Sequence, residues 1–206
     1  MTKHSTRILA ICAAVAGTVL TASPSLSGEV SQSTQFFAVH GGSLAEIDRS
    51  LSQSGPMISG SGQRHPGATS VQFDGRVSYK RVNGGCAVDR TEIKLKLKTT
   101  LPKWYRPKRV DGRTALVWRT LAADIQRHEK KHSDIAISYL KRLESALKNL
   151  RTERTCRQME AVANTVMSRY LADHERAQRE FDVIEGREVN LRLNRALQRS
   201  LYSAPR

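Results

Sequence analysis

Apolar and polar positions alternate along this chain in two different rhythms. Within Ala87–Thr99, Ile93, Leu95 and Leu97 alternate with Lys94, Lys96 and Lys98. A period of two gives a strand with one buried and one wet face. Ser70–Val82 reads as its partner, and Asn83-Gly84-Gly85 between them is a hairpin signal. Upstream, Thr34–Val39 is a short strand, and residues 29–33 read as a loose lead-in. Ser43-Leu44-Ala45-Glu46 has the form of a capping box, with Leu44, Ile47 and Leu51 following at helical spacing. Gly55-Pro56 stops that helix, and the Gly/Ser-rich residues 57–69 read as an exposed loop. Leu101-Pro102-Lys103-Trp104 ends the sheet region.

From about Thr114 the period becomes helical. Trp118, Leu121, Ile125, His128, His132, Ala136, Tyr139, Leu143, Leu147 and Leu150 step by three or four without Gly or Pro between them. A polar break follows at Thr152-Glu153-Arg154. A second seam then runs through Met159, Ala163, Val166, Tyr170, His174, Ala177, Phe181 and Glu185. Gly186 interrupts it, and residues 189–201 form a third helical piece. Two long amphipathic helices with a short connection pack as an antiparallel hairpin. The expected fold is therefore α+β. A small antiparallel sheet with a short helix (34–104) precedes a helical hairpin (114–200), the two forming one domain over 29–206.

The first residues are of another kind. Lys3, His4 and Arg7 precede an apolar run from Ile8 to Ala22, and small residues follow from Ser23 to Gly28. A basic start, an apolar middle and small residues at the cut read as a secretory signal peptide over residues 1–28, with an uncleaved N-terminal anchor as the alternative. No other stretch is long and apolar enough to span a bilayer. Without those residues the formal charge is +13, against +15 for the whole chain. Outside the cytoplasm that charge suits an anionic neighbour such as membrane surface, cell-wall polymer or acidic protein rather than nucleic acid, with a merely solubilising surface as the alternative. Removing the leader takes Cys12 with it and leaves Cys86 and Cys156. In an oxidising compartment two cysteines most simply pair. Free thiols or an intermolecular bridge are the alternatives.

The chemistry concentrates at His128-Glu129-Lys130-Lys131-His132. Two histidines at i and i+4 lie one above the other on a helix and can bind one zinc ion. The glutamate between them can act as a general base. Both histidines fall on the apolar seam and face other protein, whereas Glu129 is expected on a flank. Catalytic zinc sites use three protein ligands. If the chain reverses near residue 152, the residue level with position 130 is near 174, and His174 is there on the inward seam. Glu185 shares that seam about 16 Å further on, so a straight hairpin admits only one of the two.

The order of these features resembles the bacterial family of predicted secreted zinc-dependent proteases of uncharacterised function. The resemblance runs from about Gln35 to Gly186. It rests on Phe36-Phe37-Ala38-Val39, Gly55-Pro56, Gly84-Gly85-Cys86, Leu101-Pro102-Lys103-Trp104, the His-Glu-Lys-Lys-His run, Cys156 and Phe181-Asp182. It implies a Cys86–Cys156 bridge, a periplasmic or secreted location, and cleavage of protein or peptide by zinc-activated water. Members of that family follow the late aromatic–Asp pair with Thr-x-His-Gly. This chain reads Val183-Ile184-Glu185-Gly186 instead. Glu185 stands where the family's histidine would be, His174 is the alternative third ligand, and a degenerate site is a third reading. The leading expectation is a zinc metallopeptidase with Glu129 as base and His128 and His132 as ligands. The rival is a non-enzymatic basic envelope protein with a structural or degenerate metal site and an anionic partner.

Overall fold

The computed structural model describes residues 28–58 and 62–202. The signal-peptide reading, apart from Gly28, lies outside the described residues, as do residues 59–61 of the Gly/Ser-rich loop. The elements run in the order β1 (Glu29–Val39), α1 (Leu44–Ser54), β2 (Ala68–Val82), β3 (Gly85–Trp104), α2 (Gly112–Lys148) and α3 (Cys156–Tyr202). The fold is α+β, with a three-stranded sheet in the first half and two long helices in the second.

β3 is the middle strand, in the order β1-β3-β2. β2 pairs with it antiparallel through the turn at Asn83-Gly84, and β1 pairs with it parallel, Val30 beside Leu95 and Phe36 beside Leu101. The sheet is thus mixed rather than wholly antiparallel. Alternation fixes which side chains share a face, and it carries no information on a neighbour's direction. Here α1 and β2 lie between β1 and β3, a connection long enough to bring β1 in from the far side. Residues 29–33, expected to be loose, belong to β1, and Glu29 pairs with Lys94 at 2.7 Å.

Ile93, Leu95 and Leu97 turn their side of β3 onto Ala136, Leu140, Leu143 and Leu147 of α2 and Ala163 of α3. A smaller cluster of Val39, Ile47, Leu51 and Trp118 packs α1 and the start of α2 under the end of β1. The start of α1 is capped as the sequence suggests, and the start of α2 carries a cap that the sequence reading did not name. Ser43 and Glu46 close a capping box on α1, and Asp111 accepts from the Thr114 amide at 2.8 Å on α2. Cys86 and Cys156 are disulfide-bonded, tying the start of β3 to the start of α3. Beside the bridge, Cys86 and Glu153 exchange backbone hydrogen bonds of 2.7 and 2.9 Å. A Cβ on Gly85 would lie 2.0 Å from the Glu153 carbonyl oxygen, so only glycine allows this approach.

α3 departs from the sequence reading in one respect. It passes through Gly186 without a break, so no separate piece over 189–201 exists. One glycine inside a helix costs about 1 kcal/mol relative to alanine, which tertiary contacts readily offset. Here they flank it. Glu185 meets Arg127 of α2, while Arg192 meets Asp124 of α2 at 2.6 Å and Glu185 at 3.0 Å. No helix among the described residues is long and apolar enough to cross a membrane.

Candidate metal centre

Three chain segments meet where α2 passes α3 above the start of β2. α2 contributes His128, Glu129 and His132, α3 contributes His174, Gln178, Phe181, Asp182 and Glu185, and the segment entering β2 contributes Gly67 and Thr69. The site opens into a cleft of about 630 Å³, whose wall includes Ile58, Val71, Leu121, Ile125 and Val189.

At its centre the Nε2 atoms of His128 and His132 lie 3.0 Å apart. Oδ1 of Asp182 is 3.0 Å from His132 Nε2 and 3.4 Å from His128 Nε2. The three atoms make a nearly equilateral triangle. A tetrahedral ion held at about 2.0–2.1 Å separates adjacent ligand atoms by roughly 3.3 Å, so the triangle matches one face of such a polyhedron. The donor set also suits an ion. Gln178 Oε1 lies 2.6 Å from His132 Nδ1 and accepts its proton, so the lone pair of Nε2 faces the triangle. Phe181 stacks against His128 and meets His132 edge-on, with ring centroids 4.9 and 5.0 Å away. His128, His132 and Asp182 can hold a metal ion.

Glu129 is not on a flank as expected: it is buried, with 4% of its surface exposed. Helical periodicity correctly puts it beside the apolar seam, but the start of β2 covers that side of α2. Thr69 Oγ1 donates to Glu129 Oε2 at 2.8 Å. Burial pushes the Glu129 carboxyl above the usual carboxylate range, against the opposing hydrogen bond from Thr69. A Cβ on Gly67 would fall 2.8 Å from Glu129 Oε1 and 2.7 Å from Ile125 Cγ2, so glycine lets the chain close over this carboxyl.

His174 and Glu185 both border the cleft, outside the group formed by His128, His132 and Asp182. His174 is buried, with Phe73 and Tyr139 edge-on to its ring at 5.1 and 5.7 Å. Burial lowers its pKa and keeps the ring neutral. Its Nε2 accepts from Gln178 Nε2 at 2.8 Å, and the same amide donates to the His132 carbonyl at 3.1 Å. His174 therefore reaches His132 through Gln178. Glu185 stands on the other side, its Oε2 3.7 Å from His128 Nδ1 and engaged by Arg127 and Arg192. Burial would raise its pKa, but the hydrogen bond and charge of Arg127, aided by Arg192, hold the carboxyl below its ordinary value.

Sequence reasoning did not single out Asp182, Gln178 or Thr69. The α3 residues were within reach of a better register. Gln178 lies opposite His132, about six residues further along α3 than a symmetrical reversal at residue 152 would put it. With that offset Asp182 comes level with His128. It is also two helical turns beyond His174 on the same face.

Residues 34–188 match the model of a family described as "Bacterial protein of unknown function (DUF922)". No curated protein and no solved structure matches the chain.

Proposed function

We propose, for a chain that belongs to the bacterial DUF922 family, a zinc-dependent peptidase that works in the bacterial envelope. The observation that carries this reading is the convergence of His128, His132 and Asp182 beside the buried carboxyl of Glu129, on the wall of a cleft. Two imidazoles and one carboxylate are a donor set that suits zinc. When bound, zinc polarises a carbonyl oxygen and lowers the pKa of water to about 7.

The protein's own groups supply the remaining work. Gln178 fixes the tautomer of His132, and Phe181 restricts both rings, so the two Nε2 atoms are oriented in advance. Thr69 occupies Oε2 of Glu129 and leaves Oε1 to accept a proton from the attacking water. Glu129 then delivers that proton to the departing amine nitrogen, with no further proton donor required. Val71, Leu121, Ile125 and Val189 offer an apolar wall to side chains of the bound peptide. The disulfide supports an extracytoplasmic setting, and the basic, apolar and small-residue pattern of residues 1–28 supports export.

The test combines metal content with turnover. Protein purified from the periplasm should carry about one zinc. Glu129→Gln should retain that zinc and lose peptide cleavage by roughly 100-fold or more, the scale of a lost general base. Metal-free protein from the periplasm, or unchanged cleavage by Glu129→Gln, would refute the reading.

A second reading is favoured by the outer face of the sheet. Lys96 and Lys98 are exposed there beside Ser31, Ser33, Ser70 and Gln72. Together with a formal charge of +13 once residues 1–28 are removed, this suits a non-enzymatic protein docked on an anionic envelope surface. Binding to anionic vesicles that disappears with added salt, in protein that cleaves nothing, would favour it.

A further inference from the structure

Gly28, the residue immediately before β1, lies in a tight corner between α2 and β3. A Cβ there would come within 2.5 Å of Glu144 Oε1, 2.9 Å of the Ile93 carbonyl oxygen and 3.0 Å of Leu140 Cδ2. The Ile93 oxygen is backbone and cannot swing aside, so the corner admits glycine. The Gly28 nitrogen hydrogen-bonds to the carboxyl of Glu144. Glu144 is half-buried on the side of α2 next to the core leucines Leu140, Leu143 and Leu147. Among the described residues no lysine, arginine or histidine pairs with it. A carboxylate drawn out of water against one neutral amide is poorly compensated.

The sequence supplies the missing charge. The three residues before Gly28 are Ser25-Leu26-Ser27, small residues at the first and third positions, the form that leader peptidases cut after. We propose that the chain is cut between Ser27 and Gly28, one residue earlier than the 1–28 boundary read from the sequence pattern, and that Glu144 is the binding site for the α-ammonium so created. This inference rests on the reading of the N-terminus as an export leader. Hydrolysis breaks the bond from the Ser27 carbonyl carbon to the Gly28 nitrogen. Water gives its oxygen to the new carboxylate of Ser27, which leaves with the leader. The Gly28 nitrogen gains the hydrogen and, with an ordinary α-amino pKa of about 7.7–8.0, is mostly protonated at neutral pH.

The same nitrogen that donates one N–H as an amide then offers three and a full charge to Glu144, so a hydrogen bond to a neutral donor becomes an ion pair. The corner suits glycine for this reason: it brings an unencumbered terminus against the carboxylate. The pair also forms only after export. The leader-bearing chain lacks it, and β1 is pinned to α2 once the leader is gone.

Two measurements test this. In the first, the full-length chain is expressed in a bacterial host and its intact mass is taken from the envelope fraction. A chain beginning at Gly28 is expected. An uncut chain would overturn the leader reading itself, whereas a start at another residue would leave the leader standing and overturn this inference. In the second, residues 28–206 are released from a cleavable fusion with either Gly28 or one added alanine in first position. Glu144→Gln is then compared in both by thermal unfolding. It should lower the midpoint by about 3–6 °C in the chain that begins at Gly28 and by clearly less in the extended one. Equal shifts would overturn the ion pair even where the cut falls at Gly28.

Discussion

At the scale of single residues, the metal reading turns on which third group holds the ion. Asp182 presents an oxygen to both histidines, His174 acts on His132 through Gln178, and Glu185 is engaged by two arginines. Zinc titrations should rank the variants accordingly. Asp182→Ala should lose more than about 100-fold in affinity. Gln178→Ala should lose roughly 10–100-fold, the usual effect of removing a hydrogen-bond partner of a ligand. Glu185→Ala should stay within about tenfold of wild type. A Glu185→Ala protein as weak as Asp182→Ala would return the third position to Glu185. The sequence made the two histidines legible because their i, i+4 spacing on an apolar seam is a local property of one helix. Asp182 was illegible because its role depends on how far α3 slides along α2, which no local pattern records. Glu129 shows the same limit: periodicity gave its angle on the helix, but not the β2 segment that covers it.

At the scale of elements, the strands and helices were legible wherever one face is buried and the other wet. β3 has the clearest alternation and α2 the longest seam; α2 appears close to its expected bounds, whereas β3 continues past Thr99 to Trp104. The reading failed where a residue type was taken as punctuation. Gly186 is exposed, and a Cβ there would meet nothing within 4 Å. The helix crosses it because ion pairs on either side hold α3 against α2. Gly186→Ala should therefore stabilise the protein by about 0.5–1 kcal/mol through helix propensity alone. Chemical denaturation with an unchanged slope would register that gain. A loss of stability would mean that the glycine answers a need for bending or close approach. Because Gly186 also borders the cleft, turnover should be followed in the same variant.

At the scale of the whole molecule, the long helix pair is held at two separated places with the candidate metal centre between them. At one end the Cys86–Cys156 bridge ties α3 to β3. At the other, Asp124, Arg127, Glu185 and Arg192 bind α2 to α3. From His132 to the end of α2 at Lys148 is about 24 Å of helix. The ion cluster, in contrast, begins one residue from His128 and touches its ring through Glu185. The two fastenings should therefore separate in their effects. Replacing both cysteines with serine should cost about 2–4 kcal/mol, because the bridge closes a loop spanning 70 residues, while leaving zinc affinity nearly unchanged. Arg192→Ala should cost about 1–3 kcal/mol, for it removes charge-assisted hydrogen bonds from Asp124 and Glu185. It should also weaken zinc, since the part of α3 that carries Asp182 then loses the Arg192 tie to Asp124 that holds it against α2. Unfolding measured with and without zinc separates the two cases. The metal's stabilising increment, which is about 2.7 kcal/mol when its concentration is a hundred times Kd, should persist in the cysteine variant and shrink in Arg192→Ala. If the increment shrank equally in both, the helix pair would transmit strain along its full length, and the metal centre would depend on the bridge as well as on the cluster beside it.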